Sequence, residues 1–204
     1  MTLLQGRAPA PVIAAVVRVL VALRITPTML TTAGLLGNVL AGYLVAHGAF
    51  VAGGVLVLVA SGLDMFDGAV ARATGKASRF GALYDSVLDR LSEAAVLFGL
   101  AWHFVAIGRA EEAALAFAAV IGSLLVSYVR ARAEGLGLAL KDGLFTRSER
   151  VVLTGVMLIT GWVRGGLWVL AALSLLTALQ RLWIASRALL AEDARSGDAR
   201  EEAR

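Results

Sequence analysis

The chain alternates long apolar stretches with short segments that carry most of its basic residues, and this alternation limits what it can fold into. A transmembrane helix needs about 20 apolar residues, and hydrophobic side chains make up 59% of the 204 residues. The apolar segments are residues 29–46, 50–73, 80–107, 112–132, 150–162 and 167–190. Their lengths predict an all-α integral membrane bundle of six transmembrane helices, with the fifth helix starting inside the loop before it.

The two ends of the chain differ from this central part. Arg18 and Arg24 interrupt the first apolar stretch, so residues 1–25 are predicted to form an amphipathic helix along the membrane surface, without a cleavable signal peptide. Residues 26–190 then form the six-helix domain. Residues 191–204 are rich in charged and small side chains and are predicted to be a disordered tail.

The distribution of basic residues predicts the orientation in the cell membrane. Arginine and lysine gather in the segments after the second and fourth predicted spans and in the tail, whereas the other turns hold at most one each. By the positive-inside rule, both termini and these basic segments are expected to face the cytoplasm. This placement accounts for the net charge of +4 without nucleic acid as a partner.

Four aspartates flank the loop between the second and third predicted spans. Asp64 and Asp67 are three residues apart and Asp85 and Asp89 are four apart, so each pair lies on one face of a helix. Because the loop is short, the two helices are expected to be antiparallel and the four carboxylates to converge. Placing one aspartate in a membrane helix costs about 2.5–3.5 kcal/mol on insertion scales, so a cluster of four requires cations.

An oxygen-only ligand set, in a chain without cysteine, favours Mg²⁺, Mn²⁺ or Ca²⁺. Two such ions about 3.5–4 Å apart can clamp the attacking and leaving oxygens of a displacement at phosphorus. Gly68 and Gly81 would let a ligand approach the backbone, and Arg72 and Ser78 could contact its phosphates or ribose. Ion pairing and tight helix packing explain any one of these residues, but not the whole set at its fixed spacing.

The set resembles the signature of the CDP-alcohol phosphotransferases, D-x2-D-G-x2-A-R-x8-G-x3-D-x3-D. The matching residues are Asp64, Asp67, Gly68, Ala71, Arg72, Gly81, Asp85 and Asp89. The resemblance extends from about residue 26 to residue 181. It implies an enzyme in which Asp64, Asp67 and Asp85 bind two Mg²⁺ or Mn²⁺ ions, while Asp89 is the general base and also a metal ligand. It further implies a homodimer and a CDP-lipid donor, such as CDP-diacylglycerol, bound by Thr31, Asp67, Gly68, Arg72, Ser78 and Gly81.

A second group of residues concerns the acceptor alcohol: Ser127, Arg130, Arg132, Arg147, Arg150 and Arg181. Several arginines near one pocket favour an acceptor that carries its own phosphate, although membrane topology alone also places arginines there. The segment resembles that of the phosphatidylinositol phosphate synthases. By that resemblance the acceptor is a polyol phosphate, inositol phosphate, and these residues bind its phosphate while CMP is released.

Two alternatives stay open from the residues alone. Phosphatidylglycerophosphate synthase, which uses glycerol 3-phosphate, also has an anionic acceptor. A cation transporter, from a different class, also places aspartates in membrane helices, but along a path through the bilayer midplane. The residues do not distinguish a diacyl donor from an archaeal ether-lipid donor.

Overall fold

The computed structural model describes residues 10–140 and 143–202, with side chains over residues 14–140 and 143–195. Over these residues the chain forms seven helices and no strand, which confirms the predicted all-α fold. The helices are α1 (Ala10–Ala22), α2 (Pro27–Ala46), α3 (Phe50–Ala73), α4 (Arg79–Ala106), α5 (Ala110–Gly135), α6 (Arg147–Thr160) and α7 (Val163–Glu202).

Four helices in the described part of the chain are long and apolar enough to cross a membrane: α2, α3, α5 and the Val163–Arg195 part of α7. The chain is therefore a multi-pass membrane protein. Helix α4 has 28 residues but carries Asp85, Asp89, Arg90 and Glu93 among its first 15. Helix α6 has 14 residues, fewer than the roughly 20 that a span requires.

Capping residues fix where three of the helices begin. Thr26 caps α2, whose first residue is proline. The hydroxyl of Ser78 accepts a hydrogen bond from the backbone N–H of Gly81 at 3.0 Å and caps α4. Thr146 and Glu149 form a capping box at the start of α6. All three starts lie at the polar end of the bundle, next to the aspartates.

Helix α2 organises this end of the bundle because α3 and α4 both pack against it. Helices α2 and α4 approach closely at Gly42 and Gly99, where a Cβ atom on Gly99 would lie 2.1 Å from the carbonyl oxygen of Gly42. Helix α5 packs against α4 and α7, and α6 packs against α3. The apolar core between them includes Val45, Leu97, Leu100, Met157 and Leu167.

Helix α1 covers part of the predicted N-terminal segment, and residues 1–9 lie outside the described residues. Val17 of α1 packs with Leu30 of α2 and Val70 of α3 in a small cluster separate from the main core. Helix α1 therefore lies against α2 and α3 close to the aspartates of α3.

The C-terminal segment differs from the prediction. Helix α7 continues to Glu202, so residues 191–202 are helical where a disordered tail was predicted, and residues 203–204 lie outside the described part. Alanine, arginine and glutamate fill much of this segment and are strong helix formers. Because the segment extends an existing helix, it needs no new nucleus. Charge content alone is therefore a poor predictor of disorder in this segment.

Candidate active site

The four aspartates converge in the structure, as their spacing predicted. Helices α3 and α4 both pack on α2 but hardly touch each other, so the carboxylates of α3 face those of α4 across a gap. Asp85 lies close enough to Asp67 and Asp89 for their negative charges to repel its own. Asp64 and Asp89 contact the same nitrogen atom of Arg147. The gap has α2 behind it and carboxylates on both sides.

Neighbouring groups orient the carboxylate of Asp67. Its Oδ2 atom accepts a hydrogen bond from the hydroxyl of Thr31 at 2.9 Å. Its Oδ1 atom accepts one from the backbone N–H of Gly68. A carboxylate held at both oxygens presents its remaining lone pairs in fixed directions, as a metal ligand requires.

The carboxylate oxygens of the four aspartates suit a divalent metal ion, but a basic side chain lies between two of them. Within residues 14–140 and 143–195, the Oδ1 atoms of Asp64 and Asp89 are buried without a hydrogen-bond partner. Such atoms need a cation or a donor, and of the two only Asp89 Oδ1 lies within ion-pair distance of Arg147. The same residues contain no ready-made group of three ligand side chains, and the guanidinium of Arg147 lies between Asp64 and Asp89. Binding an ion therefore requires side-chain movement but no new ligand type.

Gly34 makes room for the carboxylate of Asp64. A Cβ atom at Gly34 would lie 1.9 Å from Asp64 Oδ1 and 2.7 Å from its Cγ. Asp64 is only 7% exposed, so its carboxylate has little space to move away. Glycine is therefore required on α2 opposite this aspartate. This requirement arises from the packing of α2 against α3.

Replacing Gly34 by alanine is expected to displace the Asp64 carboxylate and to weaken Mn²⁺ binding by about 10- to 100-fold, the usual cost of disturbing a ligand's support. Mn²⁺ affinity is measured from the electron paramagnetic resonance signal of the free ion. The matched control is Gly62→Ala on α3, where a Cβ atom meets nothing within 4 Å among the described residues. Equal Mn²⁺ affinity in both variants would contradict the role given to Gly34.

A cavity of about 450 Å³ opens beside the aspartates, between the start of α2, the end of α3 and the start of α4. Its lining contains all the residues predicted to bind the donor: Thr31, Asp67, Gly68, Arg72, Ser78 and Gly81. Thr28, Lys76 and Asp85 also line it. Two cationic side chains and two carboxylates thus border one space, which suits a diphosphate that is bound partly by cations.

The residues predicted to bind the acceptor phosphate differ in burial and in partners. Ser127 is partly exposed, Arg132 is exposed, and Arg130 is exposed and pairs with Glu134 at 2.9 Å. Arg147 pairs with two of the aspartates. Arg181 is buried and donates to the carbonyl oxygen of Val126 at 2.8 Å.

The buried position of Arg150 does not fit the prediction that it binds the acceptor phosphate. The residue is 2% exposed. Its Nε and Nη2 atoms donate to the two carboxylate oxygens of Glu93 at 2.6 and 3.0 Å, and its Nη1 donates to the carbonyl oxygen of Phe145 at 3.3 Å. These bonds occupy the guanidinium inside the bundle, so Arg150 joins α6 to α4 and holds the start of α6 near the site.

Glu93 is a residue that the sequence reasoning missed. It follows Asp89 by four residues, as Asp89 follows Asp85, so all three lie along one face of α4. That continued spacing was a usable signal, but Glu93 lies outside the eight-position pattern. Through Arg150 it positions α6, from which Arg147 reaches the aspartates.

Known proteins resemble this chain over most of its length. A family model described as CDP-alcohol phosphatidyltransferase matches residues 24–180. The archaetidylinositol phosphate synthase of Pyrococcus horikoshii is 39% identical over 173 residues, which cover 84% of this chain and 89% of that protein. The phosphatidylinositol phosphate synthase of Corynebacterium glutamicum is 36% identical over 201 residues, which cover 93% of this chain and 91% of that protein.

Solved structures agree with the sequence relatives. The crystal structure of Mycobacterium tuberculosis phosphatidylinositol phosphate synthase with CDP-DAG bound superposes with a TM-score of 0.79 at 30% identity, over 86% of this chain and 94% of that one. The same enzyme in complex with manganese and citrate gives a TM-score of 0.77 at 31% identity, over 85% and 88%.

Proposed function

The chain belongs to the CDP-alcohol phosphatidyltransferase family, and we propose that it transfers a phosphatidyl group from CDP-diacylglycerol to inositol phosphate. The products are CMP and phosphatidylinositol phosphate. The position of the 450 Å³ cavity carries the proposal, because its lining runs from Arg72 and Ser78 to Asp67 and Asp85. A CDP group in this cavity would have its diphosphate beside the aspartate cluster.

The named relatives support the acceptor. The Pyrococcus and Corynebacterium proteins differ in the lipid that their names specify, but both names specify inositol phosphate as the group joined to it. The CDP-DAG found in the mycobacterial structure favours a diacyl donor. Glycerol 3-phosphate, the alternative acceptor, has no such support from these relatives.

The reaction is a displacement at phosphorus. A hydroxyl oxygen of the acceptor attacks the phosphorus that carries the lipid, and the bond from this phosphorus to the oxygen of CMP breaks, so CMP leaves with the bonding electrons. Asp89 takes the hydroxyl proton. Its Oδ1 atom is buried, pairs only with Arg147 among the described residues and accepts no hydrogen bond there, so it can accept one from the incoming hydroxyl.

Asp64, Asp67, Asp85 and Asp89 would hold the metal, which we propose to be two Mg²⁺ or Mn²⁺ ions. The manganese complex of the mycobacterial relative supports a divalent ion in this fold. Bound there, the ions would neutralise charge on the phosphate oxygens and on departing CMP. Thr31, Gly68, Arg72, Ser78 and Gly81 would bind the CDP part of the donor through the cavity that they line.

The phosphate of the acceptor would bind near the end of α5, whose described residues do not line the donor cavity. Ser127, Arg130 and Arg132 lie in the last turns of α5 and are at least partly exposed. Arginine suits this task because its fork of N–H groups matches two phosphate oxygens. Arg181 would act indirectly, because its hydrogen bond to the carbonyl oxygen of Val126 fixes α5 next to Ser127.

We propose that α4 and α6 complete six transmembrane helices, with α1 on the membrane surface and the protein a homodimer. The charges of α4 support this, because they end at Glu93, which leaves the last 13 residues of the helix apolar except for His103. Arg72, Lys76 and Arg79 lie at the same end of the bundle as the aspartates. By the positive-inside rule, that end and both termini face the cytoplasm.

The proposed function predicts which acceptor supports turnover. Purified protein is supplied with CDP-diacylglycerol and Mn²⁺, and CMP release is measured with inositol 1-phosphate, free inositol or glycerol 3-phosphate. Inositol 1-phosphate is expected to give the fastest release, and a chelator is expected to stop it. If glycerol 3-phosphate supports turnover and inositol 1-phosphate does not, the proposed identity of the acceptor is wrong. Ion flux in liposomes without CMP release would instead favour a transporter.

A further inference from the structure

Arg147 is the first residue of α6, and its guanidinium lies between aspartates of two other helices. Its Nη2 atom is 3.3 Å from Asp64 Oδ2 on α3 and 2.8 Å from Asp89 Oδ1 on α4. Of the other basic side chains that the structure describes, only Arg90 pairs with one of the four aspartates. It contacts Asp89, at 3.8 Å. One guanidinium is thus shared by two carboxylates that face each other across the gap between α3 and α4.

The contacts of Arg147 are less complete than those of a structural arginine. Its Nε atom is buried and finds no hydrogen-bond acceptor in the described part of the chain, and 28% of its side chain is exposed. Arg150, three residues later, is 2% exposed and donates to both oxygens of Glu93. Arg147 offers a single nitrogen to two carboxylates, so charge attraction, more than hydrogen-bond geometry, holds it in place.

The backbone on both sides of Arg147 is fixed, so its side chain is the part that can move. Before it, the backbone N–H of Thr146 donates to Glu149 Oε2 at 2.6 Å in the capping box of α6. After it, Arg150 joins the helix to Glu93. A change at the aspartates can therefore swing the guanidinium without displacing α6.

We propose that Arg147 is an internal counter-ion that a divalent cation displaces from Asp64 and Asp89, and that the displaced guanidinium then binds the phosphate of the acceptor. A divalent ion and the guanidinium would compete for the same carboxylate oxygens and would repel each other at contact distance. The displaced arginine, still partly exposed, has lost its anionic partners, and a phosphate is a suitable replacement. This second half rests on the proposed function.

The consequence is cooperative binding. If metal binding frees Arg147 for the acceptor, the metal and the phosphorylated acceptor each strengthen the binding of the other, and by linkage the factor is the same in both directions. Arg147 would then be an acceptor-binding residue that couples metal loading to acceptor binding, so the acceptor binds more weakly until the metal is present.

The first arm of the test measures Mn²⁺ binding without any acceptor, from the resonance signal of free Mn²⁺. R147Q is expected to bind Mn²⁺ about tenfold more tightly than the wild-type protein, within the usual range of coupling. R147K keeps the charge and is expected to stay close to wild type. R90Q removes a charge beside Asp89 but leaves the shared position between the carboxylates occupied, so its gain is expected to be smaller.

Thermal unfolding of the same samples distinguishes an effect on Mn²⁺ binding from an effect on folding. Without divalent ions, R147Q is expected to unfold at a lower temperature than the wild-type protein, and Mn²⁺ is expected to raise its unfolding temperature by more. Equal or weaker Mn²⁺ binding by folded R147Q overturns the proposal. An R147Q protein that stays unfolded in Mn²⁺ also overturns the proposal, because a metal ion that displaces the guanidinium is expected to take over its stabilising role.

The second arm repeats the titrations with inositol 1-phosphate. We expect Mn²⁺ affinity to rise about fivefold or more in the wild-type protein and to stay unchanged in R147Q. An equal rise in R147Q overturns the transfer of Arg147 to the acceptor. If glycerol 3-phosphate alone produces a rise that depends on Arg147, the acceptor in the proposed function is wrong while the counter-ion role stands.

Discussion

Asp89→Asn is expected to lower the rate of CMP release from CDP-diacylglycerol by about 10²- to 10⁴-fold, the usual contribution of a general base. The amide has nearly the shape of the carboxylate but cannot take the proton of the acceptor hydroxyl. The rate is measured with inositol 1-phosphate at saturating Mn²⁺, because Asp89 is also a proposed metal ligand and its loss is expected to weaken Mn²⁺ binding.

The matched control is Asp193→Asn, the same chemical change at an exposed position of α7. This variant is expected to release CMP at the wild-type rate. If Asp89→Asn, saturated with Mn²⁺, retains a rate within a few fold of the wild-type value, another group must accept the proton and the role given to Asp89 is wrong.

Glu93→Gln is expected to lower the free energy of unfolding by about 3–5 kcal/mol, because it leaves the buried guanidinium of Arg150 without its counter-charge. The pair is well inside the bundle, with 2% of the Arg150 side chain and 8% of the Glu93 side chain exposed. The change is measured by denaturant unfolding in detergent micelles. Activity is expected to fall as well, since α6 loses its attachment to α4.

Two further variants separate a buried charge from a general effect of losing a salt bridge. Glu134→Gln removes the exposed partner of Arg130 and is expected to cost less than about 1 kcal/mol. The double variant Glu93→Leu with Arg150→Met replaces both charges by apolar groups and is expected to recover most of the lost stability. A Glu93→Gln protein as stable as Glu134→Gln would show that the pair does not anchor α6.

The convergence of the aspartates was predictable because it depends on local geometry. Spacings of three and four residues place side chains on one helical face whatever the helix packs against. A loop of five residues between α3 and α4 then leaves the two faces close together. The donor residues were predictable for a related reason, since Gly68, Arg72, Ser78 and Gly81 all lie within a few turns of the same loop.

The roles of the arginines were not predictable in the same way. Arg147 and Arg150 are three residues apart at the start of one helix, and the sequence offered a single explanation for both. Their different contacts depend on which residues of α3 and α4 face α6: Asp64 and Asp89 for the first, and Glu93 for the second. Positive-inside topology accounts for the presence of arginines in a loop but says nothing about their partners.

Gly34 shows the same limit for packing. It precedes Asp64 by 30 residues, and nothing in the spacing of the two connects them. Their contact exists because α2 and α3 pack closely along their length. Steric requirements between helices therefore need the packed structure, whereas charge patterns within one helix do not.

The most direct measurement is the location of manganese in crystals of this protein, from anomalous scattering at the metal's absorption edge. Anomalous peaks are expected between α3 and α4, ligated by Asp64, Asp67, Asp85 and Asp89, with the Arg147 guanidinium turned away from Asp64 and Asp89. Manganese bound only at other carboxylates, with Asp64 and Asp89 still paired to Arg147, would contradict the proposed metal site.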